Sequence, residues 1–156
     1  MSAVEGSPRI SPFLWFDSNA EEAVAFYLSV FKNSRRIREF RSPTQTTVPQ
    51  GTVLTITFEL DGQRFVALNG GPNYKFNEAV SFFVCCDSQE EIDYYWTRLT
   101  DGGSEIACGW LRDKFGLCWQ VVPADIEQLI SSPKSMEAMM KMKKLQISEL
   151  QRALES

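Results

Sequence analysis

Two stretches, Phe13-Leu14-Trp15-Phe16-Asp17-Ser18-Asn19-Ala20-Glu21-Glu22 and Phe83-Val84-Cys85-Cys86-Asp87-Ser88-Gln89-Glu90-Glu91, decide how this chain folds, because they repeat one plan about seventy residues apart. In each, an apolar run reaches an Asp-Ser pair and then acidic residues that open a helical pattern. The first copy reads as a strand over Ile10–Phe16 and a helix ending at Phe31; the second reads as a strand over Val80–Cys86 and a helix ending at Leu99. Ile92, Tyr95, Trp96 and Leu99 follow i, i+3, i+4, i+7 spacing, and Ala20, Val24, Tyr27, Leu28 and Phe31 form a similar stripe, so one face of each helix must be buried. Phe26-Tyr27 lines up with Tyr95-Trp96, and Val30 with Leu99. Ser18 with Glu21 and Ser88 with Glu91 have the spacing of a capping box, in which hydroxyl and carboxylate each satisfy a free backbone N–H.

Working outward, each helix is followed by β-rich sequence. Arg35–Arg41 reads as a strand, residues 42–50 as a Pro/Thr loop, and Thr52–Leu60 and Arg64–Asn69 as strands joined around Asp61-Gly62. In the second half Glu105–Arg112 and Leu117–Val122 are joined around Asp113-Lys114-Phe115-Gly116. Both halves are therefore βαβββ, an α+β chain with one domain over residues 8–123 made of modules 8–72 and 78–123. Alternation places Leu54, Ile56, Phe58 and Leu60 on one side of their strand, toward the helix, and Val53, Thr55, Thr57 and Glu59 on the other. A three-residue hairpin loop ending at Gly62 predicts Ile56 opposite Val66 and Leu54 opposite Leu68. Thr55, Thr57, Phe65, Ala67 and Asn69 then share the mixed face, which either lines a small-molecule cup or meets solvent.

Residues 124–156 read as a helical extension. Residues 124–131 suit a short helix and Pro133 suits a first helical turn. Met136, Met139, Met140 and Met142 crowd one amphipathic segment, and residues 148–154 add one more turn or two. The extension packs on the domain or on a second subunit, or serves as a lid.

The 156 residues, 44% of them hydrophobic, allow one domain with a proper core. Sixteen basic against twenty acidic residues leave a formal charge of −4, which excludes a field that would gather nucleic acid or an anionic membrane. The chain contains no histidine, so Ser–His–Asp and Cys–His nucleophile systems and imidazole metal sites are ruled out. Cys85, Cys86, Cys108 and Cys118 form no C-x-x-C pair and read as free buried thiols. Residues 1–6 lack a leader's apolar core, and no stretch is long enough to span a bilayer, so a cytoplasmic protein is expected.

The tandem modules resemble the vicinal oxygen chelate superfamily of glyoxalases, bleomycin-resistance proteins and dihydroxybiphenyl dioxygenases, with the PhnB-like group, labelled 3-demethylubiquinone-9 3-methyltransferase, the closest match. The resemblance rests on Pro12-Phe13-Leu14-Trp15-Phe16-Asp17, Phe26-Tyr27, Phe76-Asn77-Glu78-Ala79-Val80-Ser81-Phe82 and Gly109-Trp110-Leu111-Arg112-Asp113-Lys114-Phe115-Gly116, in that order, and on Ala138-Met139-Met140-Lys141-Met142-Lys143-Lys144. It implies a glyoxalase fold in which the paired modules bend a mixed sheet into a cup, and it implies a homodimer. Superfamily metal enzymes carry ligands on the first, fourth, fifth and eighth strands, where this chain has Pro12, Ala67, Ser81 and Gln120. One hydroxyl and one amide are not a metal set, and shifting the alignment by one residue brings Phe13, Val66, Leu68, Val80, Phe82, Trp119 and Val121, which are equally poor ligands.

The resemblance further implies a lining of Leu14, Phe65, Asn69, Ser81, Phe83, Trp110 and Gln120, joined by Thr55 and Thr57 from the alternation above. Such a lining suits a small organic molecule held by a few directional hydrogen bonds, with no cofactor. Neutral amides and hydroxyls do not accept a proton at neutral pH, and Asp17, Glu59, Arg112 and Asp113 read as rim or turn residues. Two readings stay open. One is metal-free binding; the alternative is an enzyme of the superfamily, an isomerase, dioxygenase, lyase or methyltransferase, with an unidentified acid/base or a metal held differently. The tandem βαβββ order and the absence of G-x-G-x-x-G after a strand argue against an S-adenosylmethionine site of dinucleotide type.

Overall fold

A computed structural model describes residues 7–156; the stretch 1–6, read above for a leader, lies outside them. The chain divides into two compact units, one ending at Lys75 and one beginning at Phe76.

The first unit runs β1 (Phe13–Phe16), α1 (Ala20–Val30), β2 (Ser34–Arg41), β3 (Val53–Leu60) and β4 (Gln63–Asn69). Its sheet has the order β1-β4-β3-β2, with β1 parallel to β4 and the other pairs antiparallel. Of the expected stripe Ala20, Val24, Tyr27 and Phe31 are buried and Leu28 is half-buried, with Ala23 and Val30 buried beside them. The Tyr27 ring stacks 6.4 Å from Phe58, which stacks 5.4 Å from Phe65. Each such aromatic contributes about 2 to 3 kcal/mol by leaving water.

That stack corrects the expected hairpin. β3 and β4 pair Leu60 with Gln63, Phe58 with Phe65 and Ile56 with Ala67, one residue away from the expected register. Asp61 and Gly62 both have positive φ, 49° and 86°, so they alone close the turn as a two-residue loop whose twist matches the strands. Because side chains alternate, the single-residue slip turns β4 over. Phe65, Ala67 and Asn69 go to the helix side, while Arg64, Val66 and Leu68 join Thr55 and Thr57 on the opposite, open face. β1 follows its partner: Leu14 pairs with Ala67 and Phe16 with Asn69 on the helix side, leaving Phe13 and Trp15 on the open side.

The capping box expected at Ser18 is also replaced. α1 begins at Ala20 with Asn19 as its N-cap and no side-chain cap of its own. Instead Asn69 reaches across from the end of β4. Its Oδ1 accepts from the Ala20 N–H at 2.9 Å, and its Nδ2 donates to Glu21 Oε1 at 2.9 Å and to the Val53 carbonyl at 3.0 Å.

The second unit runs β5 (Ser81–Cys86), α2 (Gln89–Thr100), β6 (Ser104–Glu105), β7 (Trp110–Arg112) and β8 (Cys118–Pro123). Its sheet order, β5-β8-β7-β6, reproduces the first, with β5 parallel to β8. Here the local cap forms: Ser88 Oγ accepts from the Glu91 N–H at 3.2 Å, and the Glu91 carboxylate accepts from the N–H of Asp87 at 2.6 Å. α2 buries Ile92, Trp96 and Leu99 over a floor that includes Leu111, Trp119 and Val121.

The strand expected over Glu105–Arg112 is broken between Ile106 and Gly109. Cys108 and Gly109 take positive φ, and their N–H groups donate to the carbonyls of Met142 and Lys143, both at 2.8 Å. The C-terminal segment, α3 (Ile126–Leu129), α4 (Pro133–Met140) and α5 (Ile147–Glu155), is thereby tied to the second unit. Gln89 holds it with both ends of its amide, donating to the Leu145 carbonyl at 3.0 Å and accepting from the Ile147 N–H at 2.8 Å. Leu145 and Leu150 share an apolar cluster with Val122, Ile126 and Leu129, against which Met139 and Met142 pack.

Among the described residues no helix is long and apolar enough to cross a membrane. The four cysteines are free thiols; Cys86 and Cys118 are buried, while Cys108 is half-buried and Cys85 exposed, both departing from expectation.

Candidate functional site

Strand alternation sorts the nine residues proposed from sequence into two groups. Leu14, Phe65 and Asn69 are 6%, 4% and 3% exposed and lie under α1, where Phe65 packs and Asn69 caps. They line the core, not an open surface. Thr55 and Thr57 lie on the opposite face of the first unit, across from Leu68 and Val66, where Thr55 is half-buried and Thr57, 5% exposed, is buried as well.

Ser81, Phe83, Trp110 and Gln120 come together on the open face of the second unit. The register pairs Phe83 with Gln120 and Gln120 with Trp110, so these three form one row across β5, β8 and β7. Ser81, Cys118 and Arg112 form the adjoining row by the same pairings. Same-face rows along a strand are about 7 Å apart and neighbouring strands about 5 Å, so five side chains share a patch roughly 10 Å by 7 Å, with Cys118 buried among them. Gln120 Nε2 donates to Ser81 Oγ at 3.0 Å, which ties the rows together. That bond uses an acceptor lone pair of Ser81 and leaves its O–H as a donor. Phe83, 54% exposed, and Trp110 flank Gln120 with apolar surface. Beyond this row Val122 is roofed by Leu145 and Leu150, so the patch is closed along β8 at that end.

Arg112 is the cation of the patch and forms an ion pair with Glu78, from the loop before β5. By sequence it reads as a rim residue, although its place two residues after Trp110 signals a shared face. Glu78 carried no such signal, since loop positions obey no alternation. Cys118, buried beside Arg112, has its thiol pushed up by burial, an effect the Arg112 charge and hydrogen bond partly oppose. A neutral buried thiol is a poor nucleophile.

The remaining charged candidates serve structure. Asp113 is 2% exposed; its Oδ1 accepts from the N–H groups of Phe115 and Leu117, and its Oδ2 from Trp119 Nε1 at 2.9 Å, which fixes the turn into β8. Glu59 pairs with Arg35 at 3.5 Å, and the Asp17 carbonyl accepts from the Gly71 N–H.

The positions of the expected metal ligands do not fit a cation. The Pro12 carbonyl accepts from the Val66 N–H at 2.9 Å, Ala67 is fully buried beneath α1, and Ser81 and Gln120 are bonded to each other. Among the described residues, no three His, Cys, Asp or Glu side chains are grouped where a metal ion could be held. A hydroxyl and an amide alone are too weak a donor set for Mn(II) or Zn(II).

The family model for 3-demethylubiquinone-9 3-methyltransferase matches residues 8–122. Among solved structures, the PhnB protein from Bacillus cereus is 34% identical, and the match covers 74% of this chain and 99% of that one with a TM-score of 0.67. Protein PA1353 from Pseudomonas aeruginosa is 21% identical over 75% of this chain and 98% of its own, with a TM-score of 0.62. The fosfomycin resistance protein FosX from Listeria monocytogenes, solved with Mn(II) and a sulfate ion, is 14% identical over 83% and 98%, with a TM-score of 0.54. The last two show a shared fold, the glyoxalase fold of tandem βαβββ modules. No curated protein matches.

Proposed function

This chain belongs to the 3-demethylubiquinone-9 3-methyltransferase family, the PhnB-like group, and from that premise we propose that it binds a small organic molecule on the open face of β5, β7 and β8 without a resident metal. One observation carries the reading: the register aligns Phe83, Gln120 and Trp110 in a single row, with Ser81 bonded to Gln120 beside it. Apolar walls on either side of an oriented amide and a hydroxyl suit a flat, weakly polar molecule, whose body leaves water while its polar edge meets fixed donors and acceptors. Methyl transfer, the activity in the family's description, is not supported by the site. Each sheet mixes parallel and antiparallel strands in the order of the βαβββ repeat, whereas a dinucleotide-type S-adenosylmethionine site needs a parallel sheet opening onto a Gly-rich turn.

Titration of isotope-labelled protein with a library of small aromatic amides, followed by NMR, tests this. Binding is expected to shift the Trp110 indole N–H and the Gln120 side-chain amide, and to weaken about tenfold in Trp110→Ala. Fragments that bind while leaving both signals unmoved would sink the reading. So would stoichiometric Mn(II) binding that raises the melting temperature and is reversed by chelator.

The same proposal includes a cytoplasmic homodimer. Its support is the exposure of Ile10, Phe13 and Phe40 in the first unit, together with four thiols that are not cross-linked. Sedimentation velocity that returns a monomer at micromolar concentration would remove the dimer.

A further inference from the structure

Resting on the binding reading above, we infer that the preferred ligand is a small aromatic carboxylate whose acid group takes Arg112 from Glu78. Three observations converge on it. Arg112 shares a strand and a face with Trp110, two residues away, so its Cα lies about 7 Å along the strand from the row that would hold a ring. That separation matches the span of one aromatic ring bearing a carboxylate. Second, the present partner of Arg112 is a loop carboxylate: Glu78 belongs to no strand or helix, and the two side chains are 39% and 54% exposed. An exposed ion pair is weak, so exchanging one carboxylate for another at Arg112 costs little. Third, the Ser81 hydroxyl stands in the same row as Arg112, across Cys118, with its O–H left to donate to the second carboxylate oxygen.

The patch thus has the polarity of an organic acid. A cation and a hydroxyl donor occupy one row, and an amide between two aromatic side chains occupies the next. Glu78 acts as an internal competitor that holds Arg112 in place when the site is empty. The charge-assisted contact of guanidinium with carboxylate also gives selectivity, because a neutral amide of the same shape cannot displace Glu78.

Benzoate, benzamide and acetate separate the contributions. Isothermal titration and thermal shift are expected to show benzoate binding more tightly than benzamide, and acetate, which lacks the ring, more weakly than either. Glu78→Gln removes the competitor and is expected to tighten benzoate about two- to fivefold while leaving benzamide unchanged. Arg112→Gln is expected to weaken benzoate at least about tenfold and to abolish its advantage over benzamide. Both variants alter exposed side chains, and a circular dichroism melt checks that each is folded. Equal binding of benzoate and benzamide, with both weakened in Trp110→Ala, would overturn the anionic head and leave the binding reading standing. A Glu78→Gln protein that binds benzoate no better than the parent would also overturn it. Absence of binding by both ring compounds at millimolar concentration would overturn both readings.

Discussion

The two units solve one folding problem with different residues. Their registers put Phe13 and Phe83 in equivalent places, and likewise Val66 and Gln120, Thr57 and Trp110, Glu59 and Arg112, and Arg64 and Cys118. On the helix sides the substitutions keep one character, with Phe58 matching Leu111, Phe65 matching Trp119 and Ala67 matching Val121. On the open sides they change it. Phe13, Val66 and Thr57 with Glu59 and Arg64 alongside in the first unit become, in the second, Phe83, Gln120 and Trp110 with Arg112 and Cys118 alongside. What buries α1 and α2 is shared because any apolar set of the right volume works there. What faces outward differs, and the proposed binding face belongs to the second unit.

The sharpest break of this comparison comes from its glycines. A Cβ on Gly103 would stand 2.1 Å from the Arg112 carbonyl oxygen, a backbone atom that β7 holds in place. Gly103→Ala is expected to cost about 3 kcal/mol in denaturant unfolding and to disturb Arg112, with the first unit spared. An unchanged midpoint would mean that β6 is dispensable. Next come the caps. Asn69→Ala strands the buried Ala20 N–H and the Val53 carbonyl and is expected to cost about 2 kcal/mol, whereas Ser88→Ala loses one local cap bond and about 1 kcal/mol. Equal losses would dissolve the distinction between the two helix starts.

Thiols extend the comparison to pH. Burial, reinforced by the charge of Glu91, pushes Cys86 up to about 12, while its neighbour Cys85 is exposed. At pH 8 a disulfide reagent should label Cys85 and spare Cys86 until the protein unfolds. The raised value means that stability is intact below the ordinary thiol range. Above it the unfolded chain ionises first, so about 1 kcal/mol is lost by pH 10, and Cys86→Ala flattens that slope. The smallest effect lies at the tail. Lys144, 2.7 Å from Asp93, holds that carboxyl below its usual value with help from Gln89. A lowered value stabilises above the ordinary carboxylate range and fades as pH falls through it, so a slight acid weakening is expected that Lys144→Met removes.

Much of this architecture is legible in the residues. The repeat, both helices and their buried stripes, and the βαβββ order all follow from periodicity, because long amphipathic segments leave few alternatives. The face of β4 does not. Phe65-Val66-Ala67-Leu68 is apolar on both sides, so alternation cannot orient it, and only the Asp61-Gly62 pair fixes the register through its two positive φ angles. Leu14 is misplaced for the same reason, since Phe13-Leu14-Trp15-Phe16 offers no polar residue to mark the outside. In the second unit Ser81, Gln120 and Arg112 supply such marks, and there the expected side chains do share a face. The break at Ile106–Gly109 was hidden because its partner, the carbonyls of Met142 and Lys143, lies far along the chain.

The Asn69 cap has a consequence in time. The bond from Ala20 spans 49 residues, so the start of α1 gains its side-chain cap only once β4 has returned beside β1, whereas α2 is capped by residues three apart. During synthesis the cap of α2 is at hand as soon as its own residues emerge, while that of α1 waits for most of its unit. The start of the first helix is therefore coupled to strand pairing far along the chain, a loop-closure cost that the start of the second does not carry.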